Sequence, residues 1–132
     1  PAAIDQRVRA LNAFAQTDAA AALGAANKRV ANILAKSEEA LSGSVANDHL
    51  VEPEEQALFA ALEATAGALA PLISEAKYSE ALTVLATLRE PVDAFFDKVM
   101  VNSDNADQRR NRLLLLQQLR NQFVSVADIM QL

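Results

Sequence analysis

The stretch LREPVDAFFDKVMV, residues 88–101, has the pattern of a short amphipathic helix that begins at a proline. Pro91 favours the first turn of a helix, where its missing N–H leaves no bond unmade, and it ends any helix that runs into it. Phe95 and Val99 are four residues apart and therefore share the inward face. The polar run 102–107 follows at once and contains helix-capping residues. This alternation of helix, proline and polar connector favours a bundle of short, packed helices.

Two helices are predicted at the start of the chain, before residue 37. Apolar residues recur every three or four positions in each, which is the spacing of one helix face. The first helix ends near residues 17–18, and Asp18 is predicted to be the N-cap of a second helix over 19–36. The inward residues are Ile4, Val8, Leu11 and Phe14 in the first helix and Leu23, Ala26, Val30, Ile33 and Leu34 in the second.

A loop and two further helices are predicted between these elements and the opening stretch. Residues 37–51 have weak periodicity and hold the lone His49, so we expect a loop there. Pro53 starts the third helix, and Pro71 in its interior predicts a kink or break just before that proline. Ser79 is predicted to cap the fourth helix. The inward residues are Leu58, Leu62, Leu69 and either Leu72 or Ile73 in the third helix, and Leu82, Leu85 and Leu88 in the fourth.

A long sixth helix is predicted after the polar connector. Its inward stripe is Leu116, Leu119, Phe123 and Val126, and the run 113–116 is apolar all round, so that turn is expected between other helices. The chain has 132 residues, of which 52% are hydrophobic and only 5% aromatic, and it shows no strand pattern. We therefore predict an all-α fold, a single bundle of about six helices formed by one domain over residues 1–132.

Composition excludes most kinds of chemistry at a site. The chain has no cysteine, so it has neither disulfides nor a cysteine-based zinc site. Its single histidine, His49, lies in a polar loop without a nucleophile beside it, and no glycine-rich phosphate loop is present. We predict no catalytic residue and no metal site. No run of about 18 uninterrupted apolar residues and no secretory pattern occur, which predicts a soluble protein without membrane contact. The chain starts at Pro1 rather than Met, so we expect a C-terminal fragment of a longer protein.

The net charge of −5 is distributed unevenly along the chain. Residues 1–36 hold five Lys or Arg and two Asp, a net charge of +3, and residues 98–132 hold five cations and three Asp, a net charge of +2. Residues 37–97 hold two cations and twelve carboxylates, a net charge of −10. If the first and last helices pack side by side, their cations form one patch that suits a polyanion. The alternative is that these are ordinary solvated helix faces.

Two short motifs combine amides with cations, and these are the candidate binding residues. Side-chain amides and guanidinium groups hydrogen-bond the exposed base edges of single-stranded RNA loops. The alternative is structural, because Asn side chains also cap or bridge helices and Arg stems cover apolar surface. The candidate RNA-binding residues are Asn27, Lys28, Arg29, Asn32 and Lys36 in the second helix, and Arg109, Asn111 and Arg112 in the sixth.

Three blocks of the chain, residues 26–34, 88–101 and 111–129, resemble the C-terminal region of the bacterial glycyl-tRNA synthetase beta subunit. That region is an all-helical anticodon-binding domain of the DALR type. The resemblance implies a partner, the tRNA-Gly anticodon arm, and no DNA, with the remainder of the beta subunit and the alpha subunit as protein partners in the cytoplasm. It implies no cofactor in this fragment, with ATP and Mg²⁺ used by the parent enzyme. The alternative is a structural module that docks other domains through its acidic middle, residues 52–63 for example, without RNA contact.

Overall fold

The structure, a computed structural model, describes the backbone of residues 2–130 and the side chains of residues 6–130. Within that part of the chain every regular element is helical and no strand occurs, which confirms the all-α prediction. A single 3₁₀ turn, Asn47–His49, interrupts the predicted loop. The α-helices are α1 (Ala2–Ala15), α2 (Asp18–Lys36), α3 (Pro53–Ser74), α4 (Tyr78–Ala86), α5 (Arg89–Lys98) and α6 (Ala106–Met130).

Two predicted caps were wrong by one or two residues. Thr17, not Asp18, caps α2: its backbone is extended and its Oγ1 accepts a hydrogen bond from the Ala20 N–H at 3.1 Å. Asp18 is instead the first helical residue, where a carboxylate favours the positive end of the helix dipole. The fourth helix begins at Tyr78, and its N-cap is Lys77 rather than the predicted Ser79. The left-handed conformation of Ala76 ends α3 just before Lys77, so the next helix starts earlier than predicted.

Helix α3 continues as one element to Ser74, three residues beyond Pro71, so the predicted break is absent. By length and composition alone, α3 is the one helix in the described part of the chain that could span a membrane. Core helices of soluble proteins share that composition. In this fold the Leu58, Leu62 and Leu69 side chains are buried against the other helices.

The core lies between α3 and the helices packed around it. Helix α3 contacts α4, α5 and α6, while α2 packs between α5 and α6 and α1 lies mainly against α4. The predicted inward residues of α2 to α6 are all buried or partly buried in this core, as expected. The apolar run 113–116 is buried throughout, which confirms its predicted place between helices.

The prediction for α1 was partly wrong. Val8 is 47% exposed, whereas Ala10 is buried and Leu11 and Phe14 are partly buried against the core. The face that α1 turns towards α4 includes Arg7, whose guanidinium carbon lies 5.4 Å from the centre of the Tyr78 ring. The side chain of Ile4 lies outside the described residues. A cation–π contact between Arg7 and Tyr78 therefore contributes to the packing of α1 on α4, beside the apolar residues that the spacing predicted.

Candidate nucleic-acid interface

One side of α2 carries three polar residues in a row. Lys28, Asn32 and Lys36 are spaced by four residues, so they follow one another along a single side of the helix, and all three are exposed. We call them the outer row of α2. No carboxylate among the side chains of residues 6–130 lies within 4.0 Å of either lysine ammonium. The only acidic residue of α2 is Asp18, at the opposite end of the helix, so the row is cationic and its lysines have no carboxylate partner on α2.

Two other candidates on α2 have contacts inside the fold. The Asn27 amide oxygen accepts a hydrogen bond from Nη1 of Arg120 at 3.3 Å and so joins α2 to α6. Arg29 is exposed, but its guanidinium carbon lies 4.3 Å from the centre of the Phe96 ring, so its side chain rests on α5. Both residues border the outer row, and each stabilises the place of α2 in the bundle.

Arg112 is buried, with 5% of its surface exposed. Its Nη2 donates to Oε1 of Glu55 at 2.9 Å, and its Nη1 donates to the carbonyl oxygen of Met100 at 2.6 Å. Glu55 is fully buried, and the same Oε1 accepts the backbone N–H of Glu52 at 3.1 Å. This ion pair therefore joins the first turn of α3, the α5–α6 connector and α6. The remaining donor, Nε of Arg112, has no partner but is itself buried, so Arg112 offers no exposed donor to a ligand.

Asn111 is also buried and holds the long loop in place. Its amide nitrogen donates to the carbonyl oxygen of Ala46 at 3.1 Å, and its amide oxygen accepts the N–H of the same residue at 2.7 Å. The Asn111 side chain is buried, with 2% of its surface exposed. It pairs with both the N–H and the C=O of Ala46, as the backbone of a neighbouring strand does in a sheet. Asn111 explains why the 37–51 loop packs on α6 despite its weak sequence pattern.

Arg109 is half-buried and makes three hydrogen bonds. Its Nε and Nη2 donate to Oε1 of Glu39 at 3.3 and 3.1 Å, and its Nη1 donates to the carbonyl oxygen of Ser103 at 2.9 Å. Three of the cations expected on a surface shared by the first, second and sixth helices are therefore held by contacts inside the fold. The α6 candidates Arg109 and Arg112 are paired with glutamates, and Arg7 of α1 lies over Tyr78 on α4. The candidate cations that keep open surroundings are the two lysines of the outer row.

Comparison with known protein families gives a match over most of the chain. Residues 23–132 match the DALR anticodon binding domain. The chain belongs to the DALR anticodon binding domain family. Helix α1 precedes the matched residues, so the outer row, the loop and α3 to α6 all lie inside the DALR domain.

Three relatives contain a region similar to almost the whole chain. The chain is 56% identical over 129 residues to the glycine–tRNA ligase beta subunits of Acinetobacter baumannii and Acinetobacter baylyi. It is 54% identical over 129 residues to that of Escherichia coli O139:H28. Each match covers 98% of this chain but only 19% of the relative, so the chain spans about a fifth of the length of the curated relatives it matches.

The buried Arg112–Glu55 pair of the DALR domain was missed, although the sequence contains a signal for it. Arg112 lies four residues before Leu116, and Glu55 lies three residues before Leu58, so both fall on the inward stripes of their helices. Two opposite charges on facing apolar stripes predict a buried pair. The Asn111 contact with Ala46 has no such signal, because it depends on where the loop returns. In the described part of the chain no group of three or more His, Asp or Glu side chains is placed to hold a metal ion.

Proposed function

We propose that this DALR domain binds the anticodon arm of tRNA-Gly through the outer row of α2, as a module of a glycine–tRNA ligase beta subunit. The family match supports an anticodon-binding role, and the relatives that it resembles are glycine–tRNA ligase beta subunits. The observation that carries the proposal is the outer row itself: two lysines and an amide, exposed, on a helix side without carboxylates.

The physical argument concerns where a polyanion is able to approach a chain of net charge −5. RNA affinity depends strongly on lysines and arginines that neutralise phosphates. Lys28 and Lys36 lie about 12 Å apart, as eight residues of α-helix at about 1.5 Å each require, which suits phosphates along a curved loop. Asn32 lies between them and offers both a donor and an acceptor to an unpaired base edge. Arg109, Asn111 and Arg112 are left out of this contact surface because they hold the fold together.

The proposal assigns selection of tRNA to this domain and chemistry to other parts of the enzyme. The remainder of the beta subunit and an alpha subunit are its proposed partners, and ATP and Mg²⁺ belong to the parent reaction. The domain itself needs no cofactor for the proposed contact, and the proposed compartment is the cytoplasm, where tRNA is charged. DNA and membranes have no place in this proposal.

A salt titration with a matched control tests the proposal. Binding of an RNA stem-loop with the tRNA-Gly anticodon arm sequence is measured for wild type and for Lys28→Ala plus Lys36→Ala. If both lysines neutralise phosphates, the slope of log K against log salt becomes smaller by about 1.4, at about 0.7 for each single-strand phosphate. The control, Lys77→Ala plus Lys98→Ala, removes the same charge from lysines that lie 3.5 and 3.7 Å from Glu75 and Asp97. An outer-row variant that binds like the control contradicts the proposal.

A second candidate function is docking of another protein domain, favoured by the outer side of α3. That side is exposed and consists largely of small residues, Ala57, Ala60, Ala64 and Gly67, with Glu52 and Glu63 exposed near them. Such a face suits a closely packed helix better than RNA, because it offers no cation. An assembly test separates the two functions: if Ala60→Glu weakens association of the full-length beta subunit with the alpha subunit while the outer-row variant binds the stem-loop like its control, docking is favoured over direct RNA contact by α2.

A further inference from the structure

A cavity of about 550 Å³ lies just beyond the C-terminal end of the outer row. It is enclosed by the end of α2, the first residues of the following loop, the α5–α6 connector and the start of α6. Ile33, Val101 and Leu113 provide its apolar walls. Lys36 is both the last residue of the outer row and part of the cavity rim. An RNA strand that runs along the outer row therefore reaches the opening of this cavity at Lys36.

Arg109 presents a flat, fixed group in this cavity. Its Nε and Nη2 are bonded to Glu39 and its Nη1 to the Ser103 carbonyl oxygen, so the guanidinium plane is held in one orientation. Its edges are occupied and its side chain is 29% exposed, so stacking on the guanidinium plane is the contact left to a ligand. Unpaired RNA bases stack on guanidinium planes as they do on aromatic rings. The cavity therefore combines a stacking plane with apolar walls, as a base-sized ligand requires.

The polar groups of the cavity determine which hydrogen-bonding groups a ligand needs. Glu38 is exposed and has no ion-pair partner among the described side chains, whereas Oε1 of Glu39 is bound to Arg109 and its Oε2 is buried, so Glu38 is the carboxylate open to a ligand. Both carboxylates accept hydrogen bonds only. Cytosine, adenine and guanine carry an exocyclic amino group that donates to such oxygens, whereas uracil has no amino group and offers only its N3–H, flanked by two carbonyl oxygens that carboxylates repel. Asn102 adds an adaptable amide at the rim.

We propose that this cavity is a binding site for one unstacked nucleobase that carries an exocyclic amino group, and that it prefers such a base to uracil. The base lies against the Arg109 guanidinium, donates its amino group to the Glu38 carboxylate, and leaves its phosphate beside Lys36. This inference rests on the proposed function, because it identifies where the bound loop would place one of its bases. It adds selection between bases to the phosphate and base-edge contacts proposed for the outer row.

Short uridine oligomers test the selection directly. The central uracil is replaced by cytosine, adenine or guanine, and binding to the 132-residue chain is measured for each oligomer. Wild type is expected to bind at least one amino-bearing oligomer about tenfold more tightly than all-uridine RNA, as one well-placed base contact allows. Glu38→Gln is expected to lose most of this preference, because an amide accepts and donates. The matched control, Glu63→Gln on exposed α3, keeps it. Equal affinity of wild type for all oligomers overturns the inference.

Methyl NMR spectra separate this inference from the proposed function. Cytidine monophosphate is expected to shift the methyl signals of Ile33, Val101 and Leu113, while uridine monophosphate leaves them unchanged and the core residue Leu58 responds to neither nucleotide. If RNA binding depends on the outer row but these methyl signals do not move, the base site is wrong and the proposed function stands. If cytidine monophosphate shifts them but the anticodon stem-loop does not bind, the site stands and the proposed function is wrong.

Discussion

Helices α2 and α6 carry similar motifs, but the α2 lysine is exposed whereas the α6 motif is buried. Asn27-Lys28-Arg29 and Asn111-Arg112 both place an amide beside a cation, and the two helices pack against each other. On α2 the lysine is exposed without a carboxylate partner, whereas on α6 the arginine and the asparagine are both buried and hydrogen-bonded within the fold. The role of a basic motif on a helix therefore depends first on its register with the apolar stripe and only then on its composition.

The largest expected effect is on α6. Arg112→Met leaves Glu55 buried without its cation, which lowers the free energy of unfolding by about 3–5 kcal/mol. Urea unfolding followed by circular dichroism measures the change. Adding Glu55→Gln to this variant removes the stranded charge and is expected to restore part of the loss. Arg110→Met, on the exposed side of the same helix, is the matched control and stays within about 0.5 kcal/mol of wild type. Equal effects of the two arginine variants would contradict the structural role of Arg112.

The next effect concerns the loop that α6 holds. Asn111→Ala leaves the N–H of Ala46 without its partner, while the Ala46 carbonyl oxygen keeps the bond that it accepts from the His49 N–H, and the change costs about 1–3 kcal/mol. Faster hydrogen exchange of the Ala46 amide, together with urea unfolding, measures the loss. Asn121→Ala, at an exposed position of α6, is the control and should leave exchange at Ala46 unchanged. Protection of that amide in the Asn111 variant would show that the loop is held by other contacts.

A smaller effect is expected at the edge of the cavity. Arg109→Ala removes a half-buried ion pair, whose side chains are 29% and 30% exposed, and should cost about 1 kcal/mol, less at high salt. The exposed pair of Arg89 and Asp93, 43% and 59% exposed, is the comparison. Arg89→Ala is expected to cost only about 0.3–0.5 kcal/mol, as helix-surface pairs do. Thermal unfolding at low and high salt measures both variants, and a larger loss for Arg89→Ala than for Arg109→Ala would contradict the predicted order.

The smallest stability effect belongs to the outer row. Lys28→Ala and Asn32→Ala each remove an exposed side chain, so the free energy of unfolding should change by no more than about 0.5 kcal/mol. Urea unfolding of both variants beside Arg112→Met gives the direct contrast. A loss above about 1.5 kcal/mol in either, as large as many core substitutions produce, would mean that the outer row also supports the fold.

Much of the bundle was predictable because apolar spacing is a local property. Leu58, Leu62, Leu82 and Leu85 fall every three or four residues within their helices, and such a stripe needs no knowledge of its partner to be recognised. Helix ends were less predictable. At the start of α2, Thr17 and its neighbour Asp18 are equally good capping residues, and at the end of α3 the residues beside Ala76 could equally have adopted its left-handed conformation. Only the path of the backbone decides which residue takes each position.

The candidate site was predictable only in part. Exposure of Lys28 and Lys36 follows from the same kind of stripe, since both lie off the buried side of α2. The pairings of Arg109 with Glu39 and of Asn111 with Ala46 join residues far apart in the sequence. No local pattern specifies how a weakly periodic loop returns to α6, so the sequence did not indicate that these side chains hold the fold.

Amide chemical-shift mapping with the tRNA-Gly anticodon stem-loop is the decisive test of RNA binding by α2. We expect the largest shifts along residues 28–36 of α2 and around the adjoining cavity, with the buried Asn111 and Arg112 amides little changed. Shifts centred on the outer side of α3, or no shifts at all at low salt, would contradict RNA binding by the outer row.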